Sequence, residues 1–405
     1  MRVNYDVIII GSGPSGMAVA TELKQQGYND IVILEREQEA GGVPRHCQHP
    51  TFGVLSFHYP MKGNHFAEKI LSGLEFIPVL TGMTVVDLLP NGRVRVSCDK
   101  GLIEMQAKRV VLATGARETP RHPRLVSGLR PQGVLTTGAL QQFIYLNRQK
   151  PCVKPVVIGS EIVSFSALWT LRNAGIKPVA MIEAQARITA NRPVQLFATL
   201  LGVPVYLGAK LLEIGGLNRV EYVVIEREGK RERIECDAVI FTGQFVGEHT
   251  LIRKSHLEQV AETGAPRVDA KGRCSDASYY AVGNMMHPAD MGDQCYLEGR
   301  QLGRNLVADL NRQETLAPNR IAITHDEAVQ FTVPNSLDLN DMPATFNVNL
   351  RVTKAISGQV VIKAGDKVVY QGKHRCLPGR RILIKGIKTA EVANGATELQ
   401  VTVIK

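Results

Sequence analysis

One pattern of strand, glycine turn, helix and strand is written twice in this chain, and both copies keep the same spacing. The first runs Asp6-Val-Ile-Ile-Ile-Gly11-Ser-Gly13-Pro14-Ser15-Gly16, continues as a helix rich in small residues to Gly27, and closes in Ile31-Val-Ile-Leu-Glu35. The second runs Val156-Val-Ile-Gly159-Ser-Glu161-Ile-Val-Ser164, then a helix to Gly175, then Val179-Ala-Met-Ile-Glu183. Gly11 to Gly27 and Gly159 to Gly175 each span 16 positions, and Gly11 to Glu35 and Gly159 to Glu183 each span 24. Two βαβ frames of this kind predict an α/β chain with two parallel-sheet domains.

A lone G-x-G-x-x-G is weak evidence, but a strand before it, a helix after it and an acid about 20 residues on make the dinucleotide fingerprint. Gly11, Gly13 and Gly16 let the backbone approach a pyrophosphate at a helix N-terminus, where unpaired N–H groups and the helix dipole favour an anion. Glu35 is placed to accept hydrogen bonds from a ribose. The second copy keeps the frame and the acid, yet Glu161 stands where the second glycine belongs and Ser164 where the third does. A carboxylate there meets a pyrophosphate of like charge, so NAD(P) binding at this turn is doubtful. Glu183 reads either as a ribose acid or as a residual acid at a strand end.

With 405 residues, 44% hydrophobic and 21% charged, the chain has the balance of an ordinary globular protein of two or three domains. No apolar run reaches the ~18 residues of a membrane span, and the short run Val7 to Ile10 leads straight into the glycine turn. A cytoplasmic location is expected. The seven cysteines are scattered, with no C-x-x-C or C-x-x-x-x-C pair, which argues against a disulfide framework, a zinc ribbon, an iron–sulfur cluster and a redox dithiol within this chain. His46, His49, His58 and His65 are spaced 3, 9 and 7 apart, which matches no zinc pattern, so no metal is expected.

Further along stand the turn Ala113-Thr114-Gly115, the run Cys236 to Gly243, the pair Gly283-Asn284 and a helix from about Asp293 to Leu310. Together with the fingerprint and the inserted second βαβ unit, these motifs resemble the large flavoprotein class that includes glutathione reductase and thioredoxin reductase, over about residues 5 to 312. The resemblance implies an FAD domain split by an NAD-like domain: 1–120 and 236–315 for FAD, and 121–235 for the NAD(P)-like unit with its degenerate phosphate loop. That class usually has Asp where this chain has Asn284, and Asn can still donate or accept toward a ribityl chain. The segment Gly42-Val43-Pro-Arg45-His46-Cys47-Gln-His49-Pro50, with Ala281 to Met285 and Cys295 to Arg300, is similar to the FAD subunits of hydrogen cyanide synthase, opine oxidases and dye-linked proline dehydrogenases. It is similar also to flavoproteins linked to glycerol-3-phosphate dehydrogenase.

The resemblance implies FAD contacts at Gly11, Gly13, Pro14, Ser15, Gly16, Glu35, Arg36, Gly42, Val43, Arg45, His46, Val85, Ala113, Thr114, Gly115, Gly283 and Asn284. It implies work beside a second flavoprotein subunit, with any iron–sulfur cluster on a partner, since this chain lacks the cysteine set, and with membrane association only through the complex. His46 and Cys47 are the catalytic candidates, as proton donor and reactive thiol. Against this, Arg45 and His46 can hold phosphates or loop carbonyls, and Cys47 can be a small packing residue.

Beyond residue 330, the runs Thr345 to Val352, Gly358 to Lys363, Lys367 to Tyr370, Arg380 to Lys385 and Glu398 to Ile404 alternate apolar and polar residues. They predict a small antiparallel β domain over 330–405, with Leu316 to Pro318 as linker. From Phe346 to Lys405 there are 11 Lys or Arg against 3 Asp or Glu, most of the net +10. With no catalytic constellation and few aromatics, the region reads as an interaction surface for an acidic partner or as a solvated β face, not as a nucleic-acid site. The FAD site is expected to be complete without it. Three functions stay open: a subunit passing electrons within a multi-subunit dehydrogenase for a small amino acid, amine-like compound or glycerol 3-phosphate; an NAD(P)H-dependent flavin reductase; and a catalytically silent FAD-binding scaffold.

Overall fold

The computed structural model describes residues 2–190, 192–312, 318–392 and 396–404, without the side chains of 192–195. Most of the expected linker, Leu316 and Ala317, lies outside the described residues. The chain divides into two compact units, one of Met1–Gly42, Glu68–Ala116 and Gly247–Lys405, the other of Val43–Ala67 and Arg117–Val246.

In the first unit the strands Asn4–Ile10, Ile31–Leu34 and Val79–Leu80 pair in parallel. The long strand Gly101–Leu112 adds to the other side of Asn4–Ile10. Its first half belongs to an antiparallel meander with Arg93–Cys98 and Thr84–Leu89, while its last residues pair in parallel with Tyr279–Ala281. The near-continuous apolar runs are explained by this arrangement: Val7 to Ile10 and Ile31 to Leu34 are buried on both faces, as parallel strands are.

The second unit repeats the plan, which is how the doubled sequence expresses itself. Val205–Leu207, Ala180–Glu183, Pro155–Ile158, Ala238–Phe241 and Val134–Thr136 form a five-stranded parallel sheet in that order. A meander of Ala209–Gly215, Tyr222–Arg227 and Lys230–Glu235 accompanies it. The structure is thus α/β, with two dinucleotide-binding-type sheets.

The phosphate helix Pro14–Gln25 begins with proline at its first position, where a missing N–H costs nothing and φ is preset. It lies against the helix Gly292–Leu310 at unusually close range. A Cβ on Gly299 would stand 2.8 Å from the Ala18 Cβ, and one on Gly303 would stand 2.5 Å from the Glu22 Cβ. Glycine at both positions is therefore a packing requirement. Glu22, buried in this contact, accepts from Arg300 at 2.6 Å and Arg304 at 3.3 Å, so its charge is paired.

The C-terminal residues form two sheets around one apolar core that includes Val348, Leu350, Ile362, Ile384 and Val401. One holds Ser336–Asp338, Arg320–His325, Glu398–Ile404, Ile356–Ala364 and Lys367–Cys376; the other holds Val329–Val333, Thr345–Val352 and Ile382–Lys388. The hairpin at Ala364-Gly365-Asp366 forms as expected, with Gly365 at φ 58°. Within 330–405 every described strand pairing is antiparallel, as expected; Arg320–His325, which lies before that range, joins Glu398–Ile404 in parallel. A parallel pair needs a long crossover, and the intervening hairpins supply it. The C-terminal strands fall in the same compact unit as the first sheet. Asp341 accepts from Arg273 at 2.6 Å and Arg312 at 2.5 Å, and Val268 donates its N–H to Asn335 at 2.7 Å. Burial alone raises the Asp341 pKa, but Arg312, Lys271 and Arg273 outweigh it and hold the carboxyl down at about 2. Among the described residues no helix is long and apolar enough to cross a membrane.

Candidate functional site: one open phosphate cradle and one filled

Three backbone turns converge on the N-terminus of Pro14–Gln25. Gly11 has φ 105°, and a Cβ there would collide with the Ala113 carbonyl; Gly42 has φ 63°, and a Cβ there would stand 2.8 Å from the Gly13 Cα. A Cβ on Gly283, at φ 79°, would strike the Ser15 side chain. Only glycine fits at these contacts. A Cβ on Gly13, by contrast, meets nothing within 4 Å. The turn is therefore open on the side where the first helical N–H groups have no intrahelical partner. This fits the pyrophosphate of FAD.

The acid of the fingerprint is tied to that turn. Ser12 donates its N–H to Glu35 Oε2 at 3.0 Å and its hydroxyl to the same oxygen at 2.6 Å, while Glu37 N–H reaches Oε1 at 3.0 Å. Gly41 N–H in turn donates to the Ser12 hydroxyl at 3.0 Å. Oε2 is thus taken up by Ser12, while Oε1 keeps a second lone pair for a ribose. The second unit reproduces this set: Ser160 donates to Glu183 Oε2 at 2.5 Å, Gln185 N–H to Glu183 Oε1 at 2.7 Å, and Thr189 N–H to the Ser160 hydroxyl at 2.9 Å. The serine, which the fingerprint leaves as an arbitrary residue, is thus the tie between phosphate turn and acid in both copies. Its identical offset to the acid was the signal that could have revealed it.

At the second turn the copies part. The Glu161 carboxylate folds back over the glycines instead of pointing outward: a Cβ on Gly159 would meet Oε2 at 2.6 Å, and one on Gly243 would meet the carboxyl carbon at 2.6 Å. Ser164 and Thr242 donate to Oε2 at 3.0 and 3.1 Å. Burial pushes the Glu161 pKa up, against the lowering effect of these hydroxyls. Arg124, held by the Thr242 and Gly243 carbonyls at 2.9 Å and stacked 4.9 Å from the Phe241 ring, supplies the nearby positive charge. The chain places its own anion in a turn built for an anion.

Other expected site residues lie as follows. Thr114 donates to the Glu248 carbonyl at 3.0 Å, Gly115 takes φ 74° with open space at its Cβ, and Val85 is buried in the first unit's core. Arg36 is exposed beside Glu37. The Asn284 carboxamide is closed into a loop, with Nδ2 donating to the Asp290 carbonyl at 3.1 Å and Oδ1 accepting from Asp290 N–H at 2.9 Å. Val43, Arg45, His46 and Cys47 belong to the second unit, where Val43 is exposed and His46 and Cys47 are buried. Burial, then the charge of Arg45, pushes the His46 pKa down to about 4, and burial alone does the same at His49. Burial, then Glu118, pushes the Cys47 thiol up to about 12. Cys47 is 3.6 Å from Gln141 Oε1, which fits a packed thiol and supplies no thiolate at neutral pH. All seven cysteines are free. Sequence reasoning did not find His287, Asp290 and Glu298, whose ligand atoms lie within 4.8 Å of one another. Arg351 and Arg381 already neutralise these carboxylates, so two guanidinium groups hold the place of a cation.

Comparison with known proteins agrees with this geometry. The family model described as pyridine nucleotide-disulphide oxidoreductase matches residues 5–304. Dihydrolipoyl dehydrogenase of Rhizobium etli is 24% identical over 355 residues, which cover 74% of this chain and 71% of that protein. One subunit of the opine oxidase of Rhizobium meliloti is 26% identical over 315 residues, 70% of this chain and 59% of that protein. Among solved structures, T. acidophilum thioredoxin reductase superposes with a TM-score of 0.65 at 19% identity, covering 76% of this chain and 99% of the other. L-proline dehydrogenase from P. horikoshii gives 0.61 at 23% identity, with 78% and 57% covered. The fold is that of two-domain flavoproteins. The chain belongs to the pyridine nucleotide-disulphide oxidoreductase family and is an FAD-dependent oxidoreductase.

Proposed function

We propose that this chain is the FAD-bearing subunit of a multi-subunit dehydrogenase that oxidises a small amino acid, an amine-like compound or glycerol 3-phosphate in the cytoplasm. In this reading a second flavoprotein subunit handles the substrate, and an iron–sulfur protein is a candidate acceptor. The observation that carries it is the contrast between the two turns: Gly13 leaves the first open, while the Glu161 carboxylate fills the second. A chain that holds flavin and has its nicotinamide-side cradle closed is suited to exchanging reducing equivalents with another protein. The similarity to an opine oxidase subunit supports a role within a complex and an amino-acid-like substrate.

In the same reading, FAD is held by 1–120 and 236–315, with 121–235 as the silent nucleotide unit and 330–405 as the region that meets partners. The N-terminal N–H groups of Pro14–Gln25 receive the pyrophosphate, and Ser12 keeps Glu35 aligned for the ribose. Gly42, Gly115 and Gly283 let backbone approach the cofactor closely, and Asn284 faces the ribityl chain. Bound FAD supplies hydride and single-electron transfer at its ring system. His46, neutral because burial and Arg45 lower its pKa, can offer a neutral N–H but no imidazolium. The test is anaerobic reduction of the purified, FAD-loaded chain together with the proteins that co-purify with it. Bleaching by an amino acid, amine or glycerol 3-phosphate that requires the second chain supports the reading; bleaching by substrate with this chain alone overturns it.

A further inference from the structure

The C-terminal strands reach the segment that carries Asn284. Arg351, on Thr345–Val352, donates to Asp290 Oδ1 and, at 3.2 Å, to the Pro288 carbonyl. Arg381, just before Ile382–Lys388, donates to Asp290 Oδ2 at 3.2 Å and to Glu298 Oε1 at 2.6 Å. Leu350 pairs with Ile382, which brings the two arginines to the same end of one strand pair. Two guanidinium groups side by side in the interior repel unless acids hold them, and Asp290, its side chain 2% exposed, is their shared acid. The backbone of that same residue holds both polar ends of the Asn284 carboxamide. One partner is an N–H and the other a carbonyl, so the amide has only one orientation that satisfies both.

The loop between is not one that stands by itself. Ala289 sits at φ 72°, a conformation that a residue with a Cβ adopts only when its surroundings impose it. Arg351 fixes the chain on both sides of it, at Pro288 and Asp290. Arg381 extends the hold through Glu298, whose neighbour Gly299 touches the phosphate helix at Ala18.

We propose that Arg351 and Arg381 are positioning residues for the flavin: they clamp Asp290, and Asp290 sets the Asn284 carboxamide. The inference rests on the reading above that Asn284 faces the ribityl chain. It gives the C-terminal region a role within the cofactor site, beyond meeting partners.

The test compares N284A, R351M/R381M and the triple variant in the full chain, reading the FAD dissociation constant by flavin fluorescence and the midpoint potential of the bound flavin. N284A is expected to weaken FAD about tenfold, the scale of one or two hydrogen bonds, and to shift the potential. R351M/R381M is expected to reproduce both changes, and adding N284A is expected to change neither further, since groups in one network are not additive. Unchanged affinity and potential in R351M/R381M, beside a loss in N284A, overturn the clamp alone, as do losses that add. If N284A changes nothing, both the reading of Asn284 and the clamp fall. Should the double variant not fold, R381M, whose side chain is partly exposed, is read in the same way, with R381K expected to restore part of the loss.

Discussion

Thr242 and Glu161 face each other across the second phosphate turn, the threonine hydroxyl donating to the carboxylate at 3.1 Å while that carboxylate lies over Gly159 and Gly243. An incoming pyrophosphate has to displace a buried, hydrogen-bonded anion and then take its place beside Ser164. The variant Glu161→Gly removes the charge and reopens the turn. Calorimetric titration is expected to detect weak NADH or NADPH binding to this variant and none to the parent. Equal binding by parent and variant contradicts the blocking role.

The converse change belongs in the first turn. Gly13→Glu meets no protein atom at its Cβ, so the fold tolerates it, but the added carboxylate stands at the helix N-terminus in the position that Glu161 occupies in the second copy. The variant should be colourless after incubation with FAD, with the melting temperature of the apoprotein unchanged. A yellow Gly13→Glu protein contradicts the assignment of the cradle.

Helix contact at Gly299 and Gly303 sets a stability prediction. Gly299→Val forces a branched side chain against Ala18 and the Ser15 carbonyl, and overpacking of this kind costs about 1–3 kcal/mol. Urea denaturation should show a lower midpoint at an unchanged slope. A midpoint equal to the parent's contradicts the close packing described.

His287 gives the pH dependence. Burial alone lowers its pKa, but Glu298 at 2.6 Å and Asp290 at 3.1 Å outweigh this and raise it to about 9. The charged groups paired with it are these two acids, which also bind the guanidinium groups of Arg351 and Arg381. Because the folded value lies above the ordinary one, the stabilisation is complete below about 6.5 and is lost as pH rises through about 9. Stability and FAD retention should fall as pH rises from about 6.5 to about 9 and level off beyond, and His287→Gln should flatten the fall. A parent profile that is flat from pH 7 to about 10 contradicts the charged state of His287.

The doubled frame was legible because spacing alone carries it: glycine, helix and acid recur at fixed offsets, and Glu161 breaks the pattern in one copy. Open and filled cradles follow from that difference. The Ser12–Glu35 tie was visible in principle, since Ser160 and Glu183 repeat it, but a hydroxyl in a turn has many uses. Arg351 and Asp290 were not legible. They lie 61 residues apart, and an arginine on an alternating strand reads as solvent-facing unless the buried acid opposite is known. The parallel pairing of Arg320–His325 with Glu398–Ile404 was hidden for a similar reason, because periodicity fixes a strand's faces and leaves its neighbours open.

The central claim is that this chain carries flavin in its first cradle and takes no electrons through its second. Stopped-flow mixing of the FAD-loaded protein with NADH, and separately with NADPH, tests it most directly. The account predicts that the flavin band stays oxidised for minutes with either nucleotide. Bleaching at an ordinary enzymatic rate, on the order of 10 per second, would contradict it.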